Sequence, residues 1–187
     1  MRIISGRWKG KRLTAPKDLP TRPTTDFAKE ALFNILNHRF YLNEVNVLDL
    51  FAGIGGISLE FASRGAEKVN AVEEYSKCVS FIKETAEELE FKQLTVYQQD
   101  VFKFLNQGHH DKYDIVFADP PFDMPIEDYK KLINLILSND YLDEAGMLIL
   151  EHPKDHSFED MPAFESHKKY GNVHFSFFEL EDTDEEE

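Results

Sequence analysis

The chain has 187 residues, of which 42% are hydrophobic and 13% aromatic, so it can form one domain with a packed core. No apolar stretch approaches the roughly 20 residues that cross a bilayer, and the N-terminus lacks the apolar core of a secretory signal. A single cysteine, Cys78, excludes an intrachain disulfide and favours a reducing, cytoplasmic setting, while the net charge of −14 argues against a surface that is basic throughout.

The charge is unevenly distributed along the chain. Residues 1–22 carry seven Lys or Arg against one acid, a charge of +6, so the remainder carries −20. A separate basic patch on an acidic protein indicates contact with phosphate, although a solvated hairpin would have the same composition. The last nine residues, ELEDTDEEE, carry seven acids and no base. We therefore expect a basic arm over residues 1–22, one domain over 23–180 and a disordered acidic tail over 181–187.

The first predicted elements are a hairpin and a helix. The stretch RIISGRWKGKRLTAP alternates around Gly6 and Gly10, which predicts a small β-hairpin arm, and the prolines that follow predict an extended linker. A helix is expected from Thr25 or Asp26, because apolar residues follow at helical spacing. Its apolar face is predicted to contain Phe27, Ala31, Leu32, Ile35 and Leu36.

Strand and helix patterns then alternate to the end of the domain. The predicted strands are VNVLDLF, KVNAVE, LTVYQQD, YDIVFA and GMLILEHP, and helical segments separate them. FESHKKYG and NVHFSFFEL predict a closing hairpin. This alternation predicts an α/β fold: a doubly wound, mostly parallel, seven-stranded Rossmann-like sheet with an antiparallel C-terminal hairpin and right-handed crossovers.

In such a sheet, ligands bind beyond the carboxyl ends of the strands, near the point where the strand order reverses. The first strand leads into DLFAGIGG, a loop that contains Phe51, Gly53 and Gly55, and its glycines permit a tight turn and close approach of a ligand. The dinucleotide pattern G-x-G-x-x-G is not met, because Ser58 stands at its third glycine. The acid before the turn, Asp49, favours instead a ligand with an ammonium or sulfonium group.

Acids also follow the next two strands. Glu73 ends the second strand, where a carboxylate can accept hydrogen bonds from both hydroxyls of a ribose, and Asp100 ends the third, where it can accept from an adenine amine. Each acid alone could be a solvated strand end. Because all three acids would meet at one edge of the sheet, they indicate a single nucleoside pocket. The carboxylate of Glu73 also disfavours a 2′-phosphate, and with it NADP.

The fourth strand delivers FADPPF to the same edge, and the expected strand order places it opposite the glycine loop. A turn that ends the strand would account for one proline. Pro120 and Pro121 have no N–H, so the backbone there offers carbonyl oxygens without competing donors. These oxygens and the Asp119 carboxylate suit an exocyclic NH₂, and Phe122 offers a flat surface for the ring that carries it. The motif predicts a site for the amine of a nucleobase.

These motifs, in this order, resemble the class I S-adenosylmethionine-dependent amino-methyltransferases, whose (D/N/S)-P-P-(Y/F/W) signature matches DPPF. The N-terminal segments MRIISGRWKGKRL and RPTTDFAKEALFNIL closely resemble the RsmD family, the bacterial 16S rRNA guanine-N2 methyltransferases. The resemblance covers residues 1–150. Ser5 replaces a glycine and Lys29 replaces an arginine, and the latter implies a less bidentate contact with the cofactor's carboxylate.

The resemblance implies S-adenosyl-L-methionine as cofactor and 16S rRNA, or the small ribosomal subunit particle, as partner. It implies direct in-line methyl transfer to guanine N2 with the base flipped out, by a cytoplasmic monomer without a metal. The residues implied to hold the cofactor are Arg22, Thr24, Asp26, Asp49, Phe51, Gly53, Gly55, Glu73 and Asp100. Those implied to position the guanine are Asp119, Pro120, Pro121 and Phe122, and those implied to hold RNA phosphates are Arg7, Lys9, Lys11 and Arg12.

Four other functions account for only part of this sequence. A methyltransferase for adenine N6, or for another exocyclic amine of DNA or RNA, shares the DPPF signature, but the chain leaves little room for a target-recognition insert. A small-molecule methyltransferase would not need the basic arm, Ser58 disfavours an NAD-dependent dehydrogenase, and a non-catalytic RNA-binding module would not need DPPF. A metal is not expected, since no ligand spacing accompanies the histidines interpreted as surface residues, which are His109, His110, His152 and His156.

Overall fold

The computed structural model describes residues 1–17, 19, 24–108 and 111–180. In this part of the chain the helices are α1 (Asp26–Arg39), α2 (Gly56–Ser63), α3 (Ser76–Glu88), α4 (Val101–Asn106) and α5 (Ile126–Ser138). The strands are β1 (Asn46–Leu50), β2 (Lys68–Glu73), β3 (Leu94–Gln98), β4 (Tyr113–Ala118), β5 (Leu142–His152), β6 (Phe164–Tyr170) and β7 (Val173–Glu179). None of these helices is long and apolar enough to span a membrane.

The strands form one sheet in the order β3-β2-β1-β4-β5-β7-β6. The first five strands in this order are parallel to one another, and β7 is antiparallel to both β5 and β6. The strand order reverses between β1 and β4. The predicted α/β fold is therefore confirmed, and the switch point lies between the glycine loop after β1 and the FADPPF segment after β4.

Helices cover both faces of the sheet. One face, here called the α1 face, packs residues such as Val47 and Phe117 against α1, α2 and α3, while Leu48 and Val116 pack on the opposite face against α4 and α5. Burial on both faces explains why these strands are continuous apolar runs, and each such side chain contributes about 1.5–3 kcal/mol of burial free energy. Since successive strand residues alternate between the faces, the pattern also decides which side chains meet where the strands end.

Helix α1 begins where it was predicted, because the Thr25 hydroxyl accepts a hydrogen bond from the Ala28 N–H at 3.2 Å. The prediction that Phe27 lies on the apolar face is wrong, since this side chain is 66% exposed. The helix is rotated so that the ring of Phe33 packs on that of Phe61 in α2, with 4.6 Å between the ring centroids. The buried residues of α1 are Ala28, Lys29, Leu32, Phe33 and Leu36.

The basic arm closes into a hairpin-like loop with a single antiparallel bridge, between Arg2 and Arg12, in place of two full strands. The Ile3 N–H donates to the Lys11 carbonyl at 3.0 Å. Ile3 and Leu13 are buried in the same apolar cluster as α1 and α2. The arm is thus packed against the domain.

The C-terminal half of α2 holds the arm through a buried carboxylate. Glu60 is fully buried and accepts hydrogen bonds from the backbone N–H groups of Ile4 and Ser5 at 2.8 and 3.0 Å. The Arg64 Nε lies 2.8 Å from the carboxylate and the Lys29 Nζ 3.5 Å from it. Donors therefore reach both oxygens of Glu60, which compensates for the loss of water around the charge.

One of the histidines interpreted as surface residues is buried. His152 is only 1% exposed, and its Nε2 lies 2.8 Å from the Ser176 hydroxyl of the neighbouring strand. Burial lowers the pKa of His152 to about 4, so the ring is neutral and belongs to the packing of the sheet. Of the others, His156 is half-buried, and His109 and His110 lie outside the described residues.

Candidate active site

The loop between β1 and α2 turns sharply at the switch point. Phe51, Gly53 and Gly55 have φ values of 60°, 56° and 78°. A Cβ added at Gly55 would lie 2.9 Å from the Cγ1 of Ile82 in α3, so packing and backbone conformation both require glycine there. The positive φ at Phe51 is uncommon for a residue with a side chain and marks local strain. The loop thereby presents backbone to the carboxyl edge of the sheet.

Asp49 lies beneath this loop, at the end of β1. It is 1% exposed and accepts hydrogen bonds from the Ser58 N–H at 3.0 Å and from the Ser58 hydroxyl. Ser58, which stands where a dinucleotide site would have glycine, therefore ties α2 to β1. Burial raises the pKa of Asp49 to about 7 although the two bonds from Ser58 lower it. A cation bound nearby would favour the ionised form.

The acids Glu73 and Asp100 follow β2 and β3 at the carboxyl edge of the sheet, and Glu73 contacts the glycine loop. The Glu73 carboxylate accepts hydrogen bonds from the N–H groups of Gly53 and Tyr75, both at 2.8 Å. Asp100 is half-buried and caps α4 by accepting from the Lys103 N–H at 2.8 Å. Glu73 thus fixes the shape of the loop, while Asp100 has a structural role as a helix cap.

The segment after β4 faces the glycine loop. The Asp119 N–H donates to the Leu50 carbonyl of β1 at 3.3 Å, and the Tyr129 hydroxyl donates to the Pro121 carbonyl at 3.2 Å. These contacts fix the segment at both ends. The ring of Phe122 is 51% exposed, so a flat apolar surface stands free beside the fixed backbone.

The Asp119 carboxylate lacks donors. Among residues 1–17, 19, 24–108 and 111–180, no backbone or side-chain group donates a hydrogen bond to it. Burial raises its pKa well above its usual range, and the nearby acids Glu151 and Asp49 raise the pKa further. In the same described residues, no group of three or more His, Cys, Asp and Glu side chains is arranged to hold a metal ion. The arrangement therefore suits a ligand that brings its own N–H donors or positive charge.

Glu151 belongs to this group and was not predicted. β4 and β5 pair with Ala118 opposite Leu150, so Asp119 and Glu151 follow side by side. The Thr24 hydroxyl donates to Glu151 at 3.4 Å, which brings the start of α1 over the strand ends. Burial raises the pKa of Glu151 to about 7. LILEHP contains an acid at the end of a buried strand. The same pattern indicated the acids at the ends of β1, β2 and β3.

Not all of the residues implied to hold the cofactor's methionine end lie at the carboxyl edge of the sheet in the described structure. The Lys29 ammonium lies 2.6 Å from the Arg2 carbonyl and beside Glu60, so the expectation that it contacts the cofactor's carboxylate is wrong. Arg22 lies outside the described residues. Asp26 forms an ion pair with Arg2 at 3.2 Å. The structure gathers at the carboxyl edge Thr24, Asp49, Phe51, Gly53, Gly55, Glu73, Asp100, Asp119, Pro120, Pro121 and Phe122.

The basic arm lies against the C-terminal end of α3. Arg7 pairs with Glu90 and Lys11 with Glu88, both at 2.7 Å and largely exposed. The other two residues implied to hold phosphates, Lys9 and Arg12, are exposed and form no ion pair with any residue that the structure describes.

Strand order, helices on both faces and a ligand edge at the switch point define the Rossmann-like fold of S-adenosylmethionine-dependent methyltransferases. A family model described as Conserved hypothetical protein 95 matches residues 1–179, and the chain belongs to this family, which confirms the RsmD resemblance. Ribosomal RNA small subunit methyltransferase D of Haemophilus influenzae is 34% identical over 83% of this chain and 80% of its own.

Two comparisons with Escherichia coli proteins cover nearly the whole chain. Ribosomal RNA small subunit methyltransferase D of strain K12 is 32% identical over 97% of this chain and 90% of its own. The solved structure described as "Putative methyltransferase yhhF" has a TM-score of 0.84 and 28% identity, and the match covers 96% of this chain and 98% of that one. The similarity therefore includes the arm as well as the sheet.

Proposed function

We propose that this protein transfers a methyl group from S-adenosyl-L-methionine to the exocyclic N2 of a guanine in 16S rRNA. The observation that carries the proposal is the Asp119 carboxylate, which lacks donors beside a fixed backbone and the exposed ring of Phe122. The relatives named ribosomal RNA small subunit methyltransferase D support ribosomal RNA as the substrate. The N-terminal motifs shared with the RsmD family support guanine N2.

The carboxyl edge fits the groups of this cofactor. The Glu73 carboxylate suits the two hydroxyls of the ribose, and it already fixes the glycine loop beside it. Asp100, at the end of the next strand, suits the adenine amine. Asp49 beneath the loop suits the positive charge of a sulfonium, which would favour its ionised form. The other contacts that we propose are Arg22, Thr24, Asp26, Phe51, Gly53 and Gly55.

The protein's part in the reaction is to hold the amine. When bound, S-adenosylmethionine supplies an electrophilic methyl group on a positively charged sulfur. The Asp119 carboxylate and the Pro120 carbonyl would accept the two N2 protons, while Phe122 would pack on the guanine ring. The guanine amine is a poor nucleophile because its lone pair is delocalised into the ring. Acceptors at its protons favour the rehybridised nitrogen, on which positive charge develops. The base must leave its stack to reach this loop.

The raised pKa of Asp119 suits a second task. Methylation of N2 leaves a nitrogen that must lose one proton, and a carboxylate with a raised pKa takes a proton more readily than an ordinary one. The group must be ionised before the amine binds, because a carboxyl that already holds a proton cannot take up the one that N2 releases. The rate constant kcat/KM is therefore expected to rise with pH until Asp119 is ionised, which a pH–rate profile measures.

The arm would hold the phosphates of the RNA through Arg7, Lys9, Lys11 and Arg12. Lys9 and Arg12 are exposed and available in the structure as it stands. Arg7 and Lys11 are paired with exposed glutamates, and such surface pairs are worth about 0–1 kcal/mol, so phosphate can replace the glutamate at small cost.

The decisive test replaces Asp119 with Ala. Labelled methyl transfer to small-subunit rRNA from cells that lack the enzyme should fall by about 100- to 1,000-fold, while cofactor affinity stays nearly unchanged. Asp123→Ala is the matched control, because Asp123 is exposed just beyond the loop. Full activity of Asp119→Ala would remove Asp119 from the catalytic group.

Mass spectrometry of the product identifies the methylated atom. N2-methylguanine supports the proposal, whereas N6-methyladenine would assign the same site to an adenine amino-methyltransferase. Comparison of naked 16S rRNA with isolated small-subunit particles identifies which of them is the substrate. Sedimentation of the purified protein tests our further proposal that it acts as a monomer, and fractionation of cells tests a cytoplasmic location.

A further inference from the structure

The turn between β6 and β7 lies at the same edge of the sheet as the candidate active site. β7 runs antiparallel to β5, and His174 near its start pairs with His152 at the end of β5. Tyr170 and Val173 pair on either side of the turn. The tip of this hairpin therefore stands beside the strand end that carries Glu151, on the side of β5 away from β4.

One row of side chains connects the hairpin with the site. Glu151 on β5 and Lys168 on β6 both pair with Phe175 of β7, so the three residues share the α1 face of the sheet. Asp119 follows β4 beside Glu151 on that face. Three strand spacings of about 4.8 Å separate β4 from β6, which puts Lys168 about 14 Å from the Asp119 position.

An exposed aromatic residue of α1 completes this surface. The ring of Phe27 is 66% exposed, and its edge contacts Tyr170, with 6.4 Å between the ring centroids. Three residues before Phe27, the Thr24 hydroxyl donates to Glu151. Phe27 and Tyr170 therefore lie beside the strand ends, where a substrate would enter.

The charge of this surface differs from that of the chain as a whole. Lys168 is exposed and forms no ion pair with any residue in the described ranges, and Lys169, also exposed, pairs with His174 and so faces the other side of the sheet. Two of the four arm residues implied to hold phosphates, Arg7 and Lys11, are in contrast paired with glutamates. Lysines on an edge strand also discourage pairing with another sheet. That role accounts for the lysines, but it does not account for an exposed phenylalanine against the tip tyrosine.

We propose that Phe27, Lys168 and Tyr170, which share the α1 face at the tip of the β6–β7 hairpin, form a second RNA contact, which binds the single-stranded nucleotides next to the methylated base. Phe27 stacks on a flanking base with Tyr170 supporting its ring, and Lys168 contacts a phosphate. This inference rests on the proposed function, because it takes RNA as the substrate. It would hold the nucleotides that flank the flipped base beside the strand ends.

The first test measures binding of an unmodified 16S rRNA fragment. Phe27→Ala should raise its Kd by about 5- to 50-fold, the range for loss of one stacked base, while the affinity for S-adenosylmethionine stays unchanged. Tyr41→Ala is the matched control, because Tyr41 is 79% exposed and lies on the loop between α1 and β1. Phe27 is 66% exposed, so its truncation should change the melting temperature little.

The second test uses Lys168. Lys168→Gln should reduce the slope of log Kd against log salt by about 0.7, the value for one lost phosphate contact with a single strand. Lys92→Gln is the control, because Lys92 is exposed just before β3, at the opposite edge of the sheet. A thiouridine placed next to the target guanine should crosslink to the peptide that contains residues 164–179.

The outcomes separate this inference from the proposed function. If the wild-type protein neither binds nor methylates the rRNA, the proposed function fails. If the wild type is active but Phe27→Ala and Lys168→Gln match their controls, and no crosslink forms on residues 164–179, the second contact is wrong. A change of oligomeric state in Phe27→Ala with unchanged RNA affinity would assign the surface to contact between two copies of the chain, and would also overturn the inference.

Discussion

Glu60 and Asp119 are both acids that pack against the core, but Glu60 is fully buried whereas Asp119 is half-buried, and their surroundings differ. Glu60 accepts hydrogen bonds from two backbone N–H groups and lies beside Arg64 and Lys29. No described donor reaches the Asp119 carboxylate, whose pKa is raised by burial and by two other acids. The first carboxylate is compensated within the protein and holds the arm in place. The second is compensated only when a ligand supplies the donors, which is the property expected of a site.

The largest effect expected from this contrast is on stability at Glu60. Glu60→Gln should lower the free energy of unfolding by about 3–5 kcal/mol, because it leaves Lys29 and Arg64 buried without a negative partner. Urea denaturation measures the loss. Glu88→Gln, which breaks the exposed pair with Lys11, should cost about 1 kcal/mol or less. Equal losses in the two variants would show that Glu60 is no more important than a surface acid.

At the candidate site, replacing an acid should raise the free energy of unfolding instead of lowering it, and the size of the gain should depend on pH. The pKa of Glu151 is raised to about 7, so the folded protein retains a proton that an unfolded glutamate loses near about pH 4.3. The stability from this group is therefore full below about pH 4 and is lost as pH rises through the folded pKa.

Glu151→Gln cannot ionise at that position. Relative to the wild type, it should gain about 1–3 kcal/mol of unfolding free energy between pH 5 and pH 8. Glu144→Gln, on an exposed part of the same strand, serves as the control. A pH dependence identical to that of the wild type would mean that Glu151 is ionised in the folded protein at pH 5.

The same contrast shows which features could be predicted from the sequence. Parallel strands bring the acids at their ends to one edge of the sheet whatever the details of packing. The alternation of strand and helix patterns therefore predicts that Glu73, Asp100 and Asp119 lie at that edge. Glu151 follows the same rule but was overlooked. The position of Lys29 could not be predicted, because it depends on how the arm docks on α2. The exposure of Phe27 depends on the packing of Phe33 against Phe61, a contact between two helices that neither helix's periodicity contains.

Glu73 lies between these two cases, because its carboxylate has two backbone donors and, within the part of the chain that the structure describes, no cationic partner. Glu73→Gln would turn an amide NH₂ toward one of these N–H groups and disturb the glycine loop. We expect S-adenosylmethionine to bind about 10- to 30-fold more weakly, equivalent to about 1.4–2 kcal/mol, as calorimetry would show. Glu74→Gln is the neighbouring control, since Glu74 is exposed. Unchanged affinity in Glu73→Gln would exclude Glu73 from the cofactor site.

The smallest effect is expected at the exposed ion pairs of the arm, because surface pairs contribute little to stability. Arg7 and Lys11 are paired with Glu90 and Glu88, and these glutamates compete with phosphate for them. Replacing both glutamates with glutamine should tighten binding of 16S rRNA by about 2- to 5-fold, and the unfolding free energy should change by about 1 kcal/mol or less. The gain should shrink at high salt, since screening weakens both the pairs and the phosphate contacts. Weaker or unchanged RNA binding in this variant would show that the paired half of the arm only fastens it to α3.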